Sequence, residues 1–203
     1  MTGKGSLNHN SRKFHAKNTD PNRTHWNVEY CNEDIKDVYH ELFDEALKRY
    51  NDKQTRKDRK IDDYYEKIRS GKQEKLFHEV ILQIGDKDNM GSETMEGQLA
   101  AKILDEYMKG FQERNPTLRV FAAHLHLDEA TPHLHIDFIP YVTGSKRGLD
   151  TRVSLKQALS SLGFKGGSRS ETELNQWVQS EKEKLAMVMR ENEIEWEQKG
   201  THE

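Results

Sequence analysis

The stretch His124-Leu125-His126-Leu127-Asp128-Glu129-Ala130-Thr131-Pro132-His133-Leu134-His135-Ile136-Asp137-Phe138 carries four of the chain's ten histidines. It consists of two alternating runs separated by a short turn. In an extended strand, successive side chains point to opposite faces. His124 and His126 therefore share one face, with Leu125 and Leu127 on the other. In the second run His133, His135 and Asp137 share a face, opposite Leu134, Ile136 and Phe138. The segment Asp128 to Pro132 is short enough to close a hairpin, and Pro132 fixes the backbone just before His133. Paired strands lie ~4.8 Å apart, so three of these imidazoles can converge on one ion at ~2.1 Å each. The leucine face goes to the core. Asp128 and Glu129, in the turn, can ligate, orient a histidine or bind a second partner. Three imidazoles with open positions suit a catalytic ion better than a closed structural one.

Outward from the hairpin, the strands are expected over Leu118 to Leu127 and His133 to Tyr141, with a further strand over Leu76 to Ile84. Helical spacing of apolar residues predicts a helix from residue 32 to 70, capped by Asn32 or Asp34 and broken by the charged patch Lys53 to Lys60. It predicts another over Glu96 to Asn115, stopped by Pro116. A short helix over Ser154 to Leu162 follows the basic loop Gly144 to Gly148, and a long charged helix covers Glu171 to Asn192. Residues 1 to 30 read as loop with short extended pieces. This order gives an α+β fold, an antiparallel sheet core flanked by helices.

The chain has 203 residues, 33% hydrophobic and 33% charged, with a mean hydropathy of -1.02. That is one domain over 1–203 with a lean core and long solvated helices, 171–203 being its C-terminal helical part. The net charge of -3 gives no global signal for nucleic acid, so any basic face must be gathered locally. The single cysteine, Cys31, excludes a disulfide framework and a thiolate metal site. No apolar run approaches a membrane span and no signal peptide is visible, so a cytoplasmic protein is expected.

The segment from His126 to His135 resembles the metal motif of plasmid mobilisation relaxases of the Mob/Pre type, the MobV-like branch of the HUH endonuclease superfamily. His9-Asn10-Ser11-Arg12 resembles that family's N-terminal histidine motif. Asn18-Thr19-Asp20-Pro21-Asn22-Arg23, followed by Asn27, resembles its second motif. The region through Pro140-Tyr141 and the Trp177 helix is also similar, so the resemblance covers nearly the whole chain. It implies an HUH-relaxase-like fold and a DNA relaxase that nicks one strand at an origin of transfer and stays on the new 5′ end.

By that resemblance His9 is the expected nucleophile, giving a 5′-phosphohistidine intermediate, with Glu129 orienting it or taking its proton. His126, His133 and His135 are the expected ligands of one divalent ion, manganese or magnesium, with zinc as the alternative. His124 is expected to act beside the ligands or on DNA. Arg12 and Arg23 are expected to clamp phosphates, and Asn10, Lys146 and Arg147 to contact DNA. The partner is single-stranded or supercoiled origin DNA, with no membrane. Val28 stands where family members carry a tyrosine, which disfavours a tyrosine mechanism. Only Met1 to Asn8 precede His9, so the family's first strand is expected to be missing. The family's proteins are longer, so a domain from a longer protein is expected, dimerising through a C-terminal region beyond it. Two rivals remain: a rolling-circle replication initiator using Tyr64 or Tyr65, and a non-enzymatic DNA-binding module stabilised by metal.

Overall fold

Alternation at period two becomes a mixed-length antiparallel sheet in the computed structural model, which describes residues 2–3 and 6–194. The strands are β1 (Thr2–Gly3), β2 (Val28–Asn32), β3 (His78–Gln83), β4 (Leu118–His126), β5 (His133–Val142) and β6 (Arg152–Val153). The helices are α1 (Leu7–Asn10), α2 (Ile35–Asp52), α3 (Tyr64–Ser70), α4 (Met95–Lys109), α5 (Phe111–Arg114), α6 (Leu155–Ser161) and α7 (Glu173–Glu191). The β4–β5 hairpin lies at the centre of the order β1-β3-β5-β4-β2, and β6 pairs with the far end of β5. His126 stands opposite His133, and His124 opposite His135. The histidine rows therefore lie side by side on one face.

A register shift between Val120 and Ala122 lets β4 serve both faces. Such a bulge reverses the alternation. Before it, Leu118 and Val120 join the apolar face; after it, Ala122, His124 and His126 pair with Asp137, His135 and His133. The apolar face, with Leu125, Leu134, Ile136 and Phe138, packs against α4, α6 and α7. There Trp177 is 1% exposed and donates to Asn115 Oδ1 at 2.9 Å. The other face is covered over Phe121, Ala122 and Ile139 by α2 and α3, through Val38, Tyr39, Phe43, Ala46 and Tyr64. Beyond that cover the same face carries the histidines.

Helix starts follow capping chemistry. Asp34, Asp63, Thr94, Ser154 and Thr172 each accept a backbone N–H of the first turn of α2, α3, α4, α6 and α7, satisfying donors that the helix itself leaves free. At Gly97 an added Cβ would stand 1.9 Å from the Gly91 carbonyl oxygen. That close approach seats α4 against the loop whose Ser92 bonds the β4–β5 turn, through Ser92 N–H to Ala130 O and Ser92 Oγ to Glu129 O.

Several expectations need correction. The helix expected over Glu96 to Asn115 breaks at Gly110 into α4 and α5. Residues 1 to 30, expected as loop with short extended pieces, hold such pieces in β1 and the start of β2, and also the short helix α1, which that expectation omits. The N-terminal strand is present: Thr2 and Gly3 pair with Val80 and Glu79. Two residues suffice because their partner supplies the backbone pairing, so no apolar run is needed. The part of the expected C-terminal helical region over 195–203 lies outside the described residues.

Candidate active site

Three histidines from the central hairpin meet. His126, His133 and His135 are 1%, 9% and 7% exposed, and one nitrogen of each lies within 4.8 Å of the others'. In each ring the other nitrogen faces an acceptor. His126 Nε2 is 2.8 Å from Asn10 O, His133 Nδ1 is 2.9 Å from Thr131 O, and His135 Nδ1 is 2.7 Å from Glu79 Oε1. An acceptor there puts the proton on that nitrogen. The lone pairs remain on His126 Nδ1, His133 Nε2 and His135 Nε2.

Two of these atoms, His126 Nδ1 and His133 Nε2, are 3.4 Å apart, and His135 Nε2 is buried with no partner among the described residues. Unprotonated nitrogens cannot bond one another, so their convergence fits a cation. Burial pushes the His126 imidazole down to about 2 and lowers His133 and His124 as well. A neutral imidazole is the ligand-competent form.

The N-terminal segment docks on this site through α1. Asn10 is 2% exposed, and its amide donates to Glu79 Oε1 at 2.7 Å and Asp137 Oδ2 at 3.2 Å. Expected as a DNA contact, Asn10 instead bridges two carboxylates that face each other across β3 and β5. Burial works to raise the Glu79 carboxyl, but hydrogen bonds from His135 and Asn10 outweigh it and hold it low. Burial and the Glu79 charge push Asp137 up to about 7. Glu79 thus keeps the charge that holds the His135 proton.

One residue before Asn10, His9 Nε2 lies 3.3 Å from Glu129 Oε1 and 3.2 Å from Arg12 NH1. The same nitrogen can hold a proton against the carboxylate or a lone pair against the guanidinium. His9, Glu129, His133 and His135 line one cavity of about 330 Å³, and Glu129 Oε1 is 3.7 Å from His133 Nε2. Glu129 therefore sits between His9 and the histidine cluster, held by Asn18 Nδ2 at 2.7 Å and Arg12 NH2 at 2.9 Å.

Arg12 and Arg23, expected as phosphate clamps, are engaged inside the protein. Arg12 has φ 53, a left-handed conformation that ends α1. From there it grips Asp128 with two bonds of 2.9 and 2.5 Å. Burial alone would raise the Asp128 carboxyl, but the Arg12 bonds and charge overcome it and hold it at about 2. Arg23 donates to the Leu127 and Glu129 carbonyls and pairs with Asp20. Asn27 Oδ1 accepts from the backbone N–H groups of Leu127 and Asp128, and Asp20 N–H donates to Asp128 O. The second motif is thus a clamp on the β4–β5 turn.

His124 Nε2 lies 3.2 Å from Glu29 Oε2 at the edge of the cluster, outside the ligand group. Lys146 and Arg147 are exposed on the loop after β5, at the opposite end of that strand from the histidines. Tyr64 is buried, with its hydroxyl accepting from Val153 N–H. Tyr30 lies on the apolar face, its hydroxyl donating to Asp105 Oδ1 at 2.7 Å, and burial raises its pKa well above the usual range. Neither tyrosine reaches the histidines. Sequence reasoning missed Glu79 and Glu29, and it named Asn18 in the second motif without its contact to Glu129. Glu79 did carry a signal: it is a carboxylate inside the apolar run Leu76 to Ile84.

The model of the Mob_Pre family, plasmid recombination enzymes, matches residues 5–187. The chain belongs to that family. A comparison with curated proteins returns no match. Among solved structures, the chain is similar to the MobM relaxase domain (MOBV; Mob_Pre) in Mn-bound crystal structures with plasmid pMV158 oriT DNA. The structure at pH 5.5 gives a TM-score of 0.52 at 23% identity, over 97% of this chain and 86% of that one. The structure at pH 6.8 gives 0.50 at 22% identity over the same shares. The fold is thus that of a relaxase domain. No helix among the described residues is long and apolar enough to cross a membrane.

Proposed function

We propose that this protein nicks one DNA strand at an origin of transfer of a plasmid or mobile element and remains attached through His9. The observation that carries this reading is the shared cavity in which His9 and Glu129 adjoin His133 and His135. His126, His133 and His135 would hold a divalent ion. When bound, that ion, manganese or magnesium with zinc as the alternative, supplies a Lewis acid that draws charge from the scissile phosphate.

The remaining work falls to the chain's own groups. Glu129 holds the Nε2 proton of His9, and Nδ1 has no partner among the described residues. The Nδ1 lone pair attacks phosphorus, the N–P bond forms, and the bond to the 3′ oxygen breaks. Glu129 takes the Nε2 proton, which reaches the 3′ oxygen through solvent and leaves a 3′-OH. Nε2, now unprotonated, accepts from Arg12. The N–P bond conserves the energy for rejoining.

The test is incubation with supercoiled origin plasmid and Mn²⁺. Nicked circles carrying protein on an acid-labile 5′ linkage are expected. His9→Ala is expected to keep metal binding and lose the adduct entirely. An adduct that survives His9→Ala, or one stable to acid as phosphotyrosine is, overturns the assignment. Absence of nicking together with metal-dependent folding supports the non-enzymatic module instead.

A further inference from the structure

Two basic segments singled out in the sequence take no part in the histidine site: the patch ending at Lys60 and the loop Gly144 to Gly148. In the fold they meet. Ile61, directly after Lys60, and Arg147 with Gly148 line one cavity of about 720 Å³, together with Lys67, Lys72 and Arg152. Their neighbours Arg49 and Arg69 pair with Asp150 and Glu66; Lys67, Lys72, Arg147 and Arg152 form no ion pair among the described residues. The one carboxylate in the cavity wall is Glu74, whose acidity burial weakens. Lys57, Arg59 and Lys60, just before Ile61 in the chain, are exposed. In a chain of net charge -3, this is a local excess of cations.

The cavity lies on the histidine face of the sheet. Its wall residue Val153 pairs with Tyr141, six residues along β5 from His135, or about 20 Å at the strand rise. Tyr64, in the same wall, is packed into the core. It offers no free ring for base stacking; Tyr50, the other ring in the wall, is half-buried against the same cluster, and the four wall cations supply chemistry suited to phosphates.

We infer that this cavity binds the phosphodiester backbone of the DNA arm flanking the nick, about six base pairs from the scissile phosphate at 3.4 Å per step. This rests on the relaxase reading and extends it: the histidine site cuts, and the basic cavity holds the arm without reading its sequence. Arg152 is spared from mutation because it also bonds Ser145 and the Val153 carbonyl.

The test compares the wild type, the variant Lys67→Gln/Lys72→Gln/Arg147→Gln, and a control Lys165→Gln/Arg169→Gln/Arg190→Gln. The control removes as much charge from beside and along α7, on the opposite face. Each is titrated with Mn²⁺ and with two origin oligonucleotides. One is full length; the other is trimmed to three nucleotides on either side of the nick. The cavity variant is expected to bind the full-length DNA about 10- to 100-fold more weakly at physiological salt. Its log–log salt slope is expected to be shallower by about two to three. Binding of Mn²⁺ and of the trimmed DNA is expected to match the wild type. An unchanged slope, an equal loss in the control, or an equal loss on the trimmed DNA overturns the inference. Failure of the wild type to nick origin DNA, with these slopes intact, instead overturns the relaxase reading and leaves a DNA-binding surface.

Discussion

His78 and His135 lie on adjacent strands, and each is 7% exposed. His78 faces the apolar side of β3, its ring stacked on Phe138 at 6.1 Å, with Nε2 unpartnered among the described residues. Burial pushes it down to about 4. His135 faces the other side, with Glu79 on one nitrogen and two further imidazoles beside the other. Burial is common to both, so burial does not make a histidine functional. What separates them is an acceptor that fixes the proton on one nitrogen and a convergence of lone pairs at the other.

The sharpest way to break that contrast is to remove each ring. His135→Ala is expected to abolish Mn²⁺ binding in calorimetry and nicking with it, whereas His78→Leu keeps both. If His78→Leu also loses the ion, the two rings are not distinct in kind. A smaller effect is expected from Glu79→Gln, which leaves the ligand in place and weakens the group that orients it. Mn²⁺ affinity is expected to fall about 10- to 100-fold, measured as free Mn²⁺ by electron paramagnetic resonance. Equal affinity would mean that packing alone holds the ring.

The smallest effect concerns stability and pH. His78 has a folded pKa of about 4 against ~6.5 unfolded. Below ~6.5 the unfolded chain binds the proton that the folded chain excludes. Stability is therefore fully present above ~6.5 and is lost as pH falls towards 4, by up to about 3 kcal/mol. In His78→Leu this share of the acid sensitivity is expected to vanish, read as the difference between the two proteins' urea stability curves from pH 7 to 4. Parallel curves would show that His78 is protonated at no cost.

What the sequence made legible was whatever repeats locally. The alternation of His124 to His126 and His133 to Asp137 specified the hairpin and the faces, and Asp34 and Ser154 marked helix starts where side chains do cap. What stayed hidden depends on partners far away in the chain. β1 has two residues and β2 has a bulge between Glu29 and Cys31, so neither shows a periodic run. Asn10 and Arg12 look like DNA-contacting residues in a polar segment. Their roles emerge only when Glu79, Asp137 and Asp128 are brought beside them. The His-Asn-Ser-Arg motif could be recognised as a unit, but the division of labour within it could not.

The contact between Arg12 and Asp128 joins residues 116 apart in the chain. Closing so long a loop is entropically slow, and contacts of this kind form late in folding. The segment from Ser6 to Asn27 has no long helix or strand of its own and rests on the β4–β5 turn through side-chain bonds. The sheet and its histidine cluster can therefore assemble before His9 arrives. Docking of that segment brings Asn10 O to His126 and the Asn10 amide to Glu79 at the same time as it brings His9, so one event both orients the ligands and delivers His9.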